Sequence, residues 1–96
     1  MDFTFTARLW RWKDDSAWHF ISLPQEVADE IEDAAVHRGG FGSVRVEAGV
    51  GASTWSTSVF PDKSRGTFIL PIKKQIRAQE RISEDDEISV RIRITQ

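Results

Sequence analysis

The sequence predicts a small, mainly β (α+β) domain, a six-stranded β-barrel that carries two short helices. Three observations predict it. Six separate stretches read as strands, most of them by alternation of apolar and polar residues, a period of two that belongs to half-buried strands, and the others by aromatic and branched residues. Clusters of Gly, Pro, Asp and Ser join most of those stretches at hairpin distance. Apolar residues at helical spacing occur in only two stretches, each after a Leu-Pro step, Leu23-Pro24 and Leu70-Pro71. Six strands with one apolar face each, in a chain of 96 residues, bury those faces most economically by curling on themselves. The helices would then plug the ends or cover one side. A doubly wound parallel sheet would need more helices and fewer hairpins.

The elements follow in order. Phe3 to Trp12 sets Phe3, Phe5, Ala7 and Leu9 on one side and Thr4, Thr6, Arg8, Trp10 and Trp12 on the other. Lys13 to Ser16 is a polar turn, and Ala17 to Ser22 resumes extended structure. A four-residue loop would put Leu9 opposite Phe20 and Trp10 opposite His19, and a slip of one residue would reverse the faces. Pro24 suits a first helical turn, where its missing N–H costs nothing. Val27, Ile31 and Ala35, flanked by Ala28 and Ala34, form the apolar stripe of that helix. His37 and Arg38 suit its negative end, and Gly39-Gly40 is the expected stop.

Ser43 to Val50 presents Val44, Val46, Ala48 and Val50 on one face, with Arg45 and Glu47 on the other. Gly49-Val50-Gly51 permits a tight reversal into Ser53 to Phe60, where Trp55, Thr57 and Val59 oppose Thr54, Ser56 and Ser58. Pro61 to Gly66 is a turn by composition. The stretch from Phe68 to Thr95 then repeats the order of Trp18 to Val50: strand, Leu-Pro, helix, turn, strand. This pseudo-repeat predicts that the two halves superpose, with Pro24 and Pro71 each in the first turn of a helix. In the last strand Val90, Ile92 and Ile94, after Ile88, should be buried, with Arg91 and Arg93 in solvent.

Composition bounds the function. Residues 1–96 make one domain, and a chain of this size hides roughly 60 to 65% of its unfolded surface. With 40% hydrophobic and 29% charged residues the chain is ordinary for a soluble protein, expected as a monomer or small homo-oligomer. The absence of cysteine excludes disulfides, thiolate zinc sites and thiol nucleophiles. Met1-Asp2 leads straight into a strand without a basic, then apolar leader, so a cytoplasmic location is expected. A net charge of -2 gives no general attraction to nucleic acid or to an anionic membrane.

Each chemical motif has a plainer reading beside it. His19 with Asp14 and Asp15 could ligate a metal, but carboxylates in that place are ordinary turn formers. No G-x-S-x-G elbow serves the serines. Gly40-Phe41-Gly42-Ser43 and Gly49-Val50-Gly51 lack the following helix that phosphate loops use. No catalytic set is recognised and no cofactor is called for. Lys74, Arg77 and Arg81 recur at helical spacing beside Lys73, with Arg91 and Arg93 facing outward; a solvated helix face balanced by the acidic first helix is the plainer reading of them. Trp10, Trp12 and Trp55 are the remaining signal. They could pack beneath the helices, or, near Arg8, stack on a base, a sugar or a partner protein.

Taken in order, the F-x-F-x-A-x-L strand of Phe3 to Leu9, the Trp18 to Pro24 segment ending I-x-L-P, the G-x-V-x-V strand, the small-residue strand Ser53 to Phe60, and the closing Leu70 to Ile92 run (L-P-I-K-K-x-I-R, acidic turn, I-x-V-x-I) resemble the family called domain of unknown function 1905. The resemblance covers nearly the whole chain. It implies a small split β-barrel and no established activity. Some members carry an added domain linked with bacteriocin protection, which this chain is expected to lack. Members often have Gly-Asp before the last strand where this chain has Asp85-Asp86, which implies a differently built turn. The last quarter also resembles AbrB-type swapped-hairpin DNA-binding proteins, which are shorter and dimeric.

Two functions are therefore expected to compete. The first is a non-catalytic binding module for a small molecule or a protein, using Trp10, Trp12 and Trp55. The second is an AbrB-like nucleic-acid binder using Lys73, Lys74, Arg77, Arg81, Arg91 and Arg93, which thirteen basic against fifteen acidic residues disfavour. No membrane partner is expected.

Overall fold

The computed structural model describes residues 1–13, 17–35 and 38–95. Alternation along the N-terminal stretch yields β1 (Asp2–Arg8), and after one intervening residue β2 (Trp10–Arg11). The break falls at Leu9. Its N–H donates to the Asp86 carbonyl at 2.9 Å and its carbonyl accepts from Asp85 at 2.7 Å, so its backbone serves the acidic turn, and its side chain is fully buried. The remaining elements are β3 (His19–Ser22), α1 (Gln25–Ala34), β4 (Val44–Val50), β5 (Ser53–Asp62), β6 (Thr67–Pro71), α2 (Lys74–Glu80) and β7 (Glu87–Ile94).

Among the described residues the architecture is mainly β: one curled antiparallel sheet of seven strands in the order β1-β7-β4-β5-β6-β3-β2, with two α-helices. Seven strands replace the six expected because Leu9 divides the first. The two edge strands, β1 and β2, are thus neighbours in the chain. The inner face carries Ile21, Val44, Val46, Val59, Leu70, Val90 and Ile92, all buried, and α1 adds Val27, Ala28 and Ile31 while α2 adds Ile76. In β7 the expected parity holds for Ile88, Val90 and Ile92 inside and Arg91 and Arg93 outside, although Ile94 at the strand end is only half-buried. The β4–β5 hairpin pairs Val50 with Ser53 around Gly51, whose φ is +58°. Among the described residues no helix is long and apolar enough to cross a membrane.

Four expectations need correction. The first hairpin is shifted by one residue: Trp10 pairs with Phe20 and Arg11 with His19, and the Trp12 N–H donates to the Trp18 carbonyl at 3.1 Å. Leu9 and Ile21 fill the core, which turns Phe20 outward. The end of α1 comes earlier than Gly39-Gly40. Ala35 still donates to Ile31 but takes ψ 113°, where the apolar stripe runs out. The glycines instead build a separate turn in which Gly39 donates to Ser43 at 2.8 Å and Phe41 takes φ 60°. Pro71 is not in a helix: it ends β6 opposite Phe20, a strand terminus where the missing N–H is tolerated, and the ladder continues through the Ile72 N–H to the His19 carbonyl. Only Pro24 adjoins its helix, as the N-cap of α1, and with Pro71 inside a strand the expected superposition of the two halves is overturned. Finally, β5 runs on through Pro61 and Asp62, leaving the turn to residues 63–66. The expected role of His37 at a helix end, and of Asp14 and Asp15 beside His19, lies outside the described residues.

Candidate functional site

The corrected register determines what the outer face carries. Side chains two apart on a strand share a face, and directly opposed residues on neighbouring strands lie side by side. Trp10 and Trp12 therefore stand beside Phe20 and Trp18. The next strand brings Pro71 beside Phe20 and Ile69 beside Ser22, and the one after brings Phe60 beside Ile69. Four strands thus present a continuous apolar sheet surface to the outside. These residues line a groove of about 340 Å³ with Asp62 at its edge. Trp12 is 54% and Trp18 59% exposed, so neither helix covers this face.

The aromatic side chains hold one another in fixed planes. Trp10 and Phe20 have ring centroids 5.1 Å apart at 33°, and Trp18 and Phe20 6.0 Å apart at 11°. The Trp10 indole N–H donates to the Ser22 hydroxyl at 3.0 Å, the usual way a half-buried tryptophan satisfies its polar end. Arg65 lays its guanidinium 3.8 Å from the Trp10 ring centre, and the Lys13 ammonium is 4.4 Å from that of Trp12, both cation–π distances.

Arg65 is positioned by the turn after β5. One Asp62 carboxylate oxygen accepts from the Ser64 N–H at 3.0 Å and the Ser64 hydroxyl at 2.7 Å, and the other from Arg65 at 2.9 Å. The Ser64 hydrogen bond is the largest effect on the Asp62 carboxyl and lowers its pKa; burial, second in size, opposes it, and the hydrogen bonds and charge of Arg65 add to the lowering, so the net shift is downward. Asp62, the one carboxylate among the described residues that line the groove, is therefore already paired within its own turn.

A second, smaller pocket of about 230 Å³ adjoins the groove and shares Trp18 and Pro71 with it; Ala17, His19, Ile72, Lys73, Lys74 and Arg77 complete it. His19 Nδ1 is 2.9 Å from the Ala17 carbonyl, and a carbonyl only accepts, so this nitrogen carries the proton. Arg77 donates to the Ile72 carbonyl at 2.6 Å, and burial pulls its pKa below the ordinary arginine value. Its guanidinium braces the start of α2. Lys73 and Lys74 are exposed and make no ion pair among the described residues.

The residues singled out from sequence are thus brought together in part. Trp10 and Trp12 lie in the groove, and Lys74 and Arg77 in the adjoining pocket. Trp55 is elsewhere: it pairs with Ala48, packs half-buried against the core and faces Gln75, Ile76 and Gln79 of α2. Arg8 is exposed on β1 opposite Glu87 and lines neither cavity. Arg81 is the C-cap of α2 with φ 57° and also stands apart. Arg91 donates to the Gly51 carbonyl and Arg93 to Asp2, so the basic residues form no single patch. Sequence reasoning missed Trp18, Phe20, Phe60, Ile69 and Pro71. The signal was present as runs apolar on both faces, Trp18 to Ile21, Val59 to Pro61 and Phe68 to Pro71, since a strand solvated on one side should alternate. Among the described residues no group of three His, Asp or Glu could hold a metal ion.

The family model described as Domain of unknown function (DUF1905) matches residues 5–92, nearly the whole chain. No curated protein matches the chain.

Proposed function

The chain belongs to the DUF1905 family, whose description records no activity, and we propose from the geometry that it is a non-catalytic binding module whose aromatic groove takes the flat ring system of a small molecule. One observation carries this reading: a continuous apolar surface spanning four strands, with two tryptophans more than half exposed. An outward apolar patch of this kind on a small domain marks an interaction site. A cavity of about 340 Å³ lies at the small end of the range for ligand pockets, roughly 300 to 1,000 Å³. The same reading takes β1 and β2 together as one strand of a six-stranded barrel, supported by the single residue between them, and the protein as a cytoplasmic monomer or small homo-oligomer.

The test is calorimetric titration with indole as a neutral flat probe, on the parent protein and on Trp12→Ala and Trp18→Ala. Saturable binding that both substitutions weaken at least tenfold, with unchanged unfolding midpoints, supports the groove. Binding that survives both substitutions, or no binding at all, refutes it.

A further inference from the structure

The wall shared by the two cavities has a chemical meaning. On one side of Trp18 and Pro71 lies the aromatic groove; on the other lies the pocket bearing Lys73, Lys74 and Arg77. The two cavities differ in kind. Among the described residues the groove offers aromatic rings and one carboxylate, Asp62, which is committed to Ser64 and Arg65. The pocket is lined by two exposed lysines, Lys73 and Lys74, and a lysine can lay its apolar stem along a wall while its charge stays in water.

Resting on the groove reading above, we infer that groove and pocket together form one site for a nucleotide, with the base stacked in the aromatic groove and the phosphate held by Lys73 and Lys74. Complementarity of charge and shape favours this occupant. A stacking surface tolerates any base because every base has a π face, and an adjacent pair of lysines answers a phosphate as point charges. A neutral aromatic compound would leave the lysines unused, and an aromatic cation would meet Lys73 and Lys74 beside Arg65 and Lys13. The two volumes, about 340 and 230 Å³, suit a bicyclic ring and an appended sugar phosphate. The overall charge of -2 argues against a long phosphate track, so only one or two phosphates are engaged and the salt dependence is shallow.

Calorimetry with adenosine, AMP and a short oligo(dA), alongside indole, tests the inference. AMP should bind at least ten times more tightly than adenosine. Lys73→Glu with Lys74→Glu should bring AMP to or below the adenosine affinity while leaving adenosine and indole unchanged. Trp18→Ala should weaken all the probes. Both substituted sites are exposed, and circular dichroism checks that the variants are folded. Oligo(dA) tighter than AMP by tenfold or more assigns the phosphate to single-stranded nucleic acid, and anything less assigns it to a free nucleotide. Equal affinity for AMP and adenosine, or binding of indole alone, overturns the nucleotide inference and leaves the groove standing. No binding of indole overturns the groove reading and, with it, this inference.

Discussion

Replacing Gly51 by alanine should be among the most damaging single-methyl changes in this protein, and the loss should run through Glu80. Gly51 turns the β4–β5 hairpin with φ +58°, a left-handed conformation that costs an L-residue about 1 to 2 kcal/mol. A Cβ built there would overlap Glu80 Oε1 and sit 2.8 Å from its Cδ. The Glu80 carboxylate must then swing away from the Ser53 hydroxyl, which donates to Oε2 at 2.6 Å. Ser53 is buried, and losing a hydrogen bond to a charged group costs about 1.5 to 3 kcal/mol. The sum is about 2.5 to 5 kcal/mol, a large part of the roughly 5 to 15 kcal/mol that a small domain has. Urea unfolding of the parent, Gly51→Ala, Glu80→Ala and the double variant measures it. In the Glu80→Ala background Gly51→Ala should cost only the backbone part, about 1 to 2 kcal/mol, giving a coupling of about 1.5 to 3 kcal/mol. If Gly51→Ala costs the same in both backgrounds, the steric argument fails and only the backbone conformation matters.

Three further outcomes are expected. Ile92→Ala, at a position 1% exposed on the inner face, should cost about 2 to 5 kcal/mol in the same assay, whereas Arg93→Ala, which breaks a solvent-exposed pair with Asp2, should leave the midpoint nearly unchanged. Asp85→Gly should stabilise the fold by about 0.5 to 1 kcal/mol, because Asp85 holds φ 73°, which glycine adopts without the side-chain penalty; a lower midpoint would mean that the Asp85 side chain matters more than its backbone. Because the Asp62 pKa is lowered from 3.8 on folding, its contribution to stability is present above that value and is lost as pH falls through the folded-state pKa. Asp62→Asn should therefore flatten the acid limb of the stability profile below about pH 4, and an unchanged limb would refute the role of this turn.

Period and turn chemistry made most of the fold legible in the sequence. The alternation in Val44 to Ala48 and in Glu87 to Arg93 predicts which side chains are buried, because each strand has one polar face and no alternative parity would bury its valines and isoleucines; the ends depart from it, with Ser43 and Gly49 buried and Ile94 only half-buried. The candidate site was less legible for the converse reason. Trp18 to Ile21 and Phe68 to Pro71 are apolar on both faces, so parity cannot be read from them, and a one-residue slip in the loop after Trp12 exchanges Phe20 between core and surface. What fixed the register was a long-range contact, the Leu9 backbone with Asp85 and Asp86, which no local pattern encodes. The Asp85-Asp86 turn was legible as a turn, but its conformation was not: Asp85 occupies a left-handed position that glycine adopts without a side-chain penalty.

β1 pairs along its length with β7, and β7 also separates β1 from β4. During synthesis this arrangement imposes an order. The β4–β5 hairpin can close as soon as it emerges, but Asp2–Arg8 must wait for a partner roughly eighty residues downstream, roughly 4 to 16 s at usual translation rates. Throughout that interval two unpaired strand edges flank an empty slot one strand wide, and such edges invite pairing with other chains. The last strand of a second copy has the pattern that fits the slot, so crowded nascent chains would first misassemble by exchanging Glu87–Ile94.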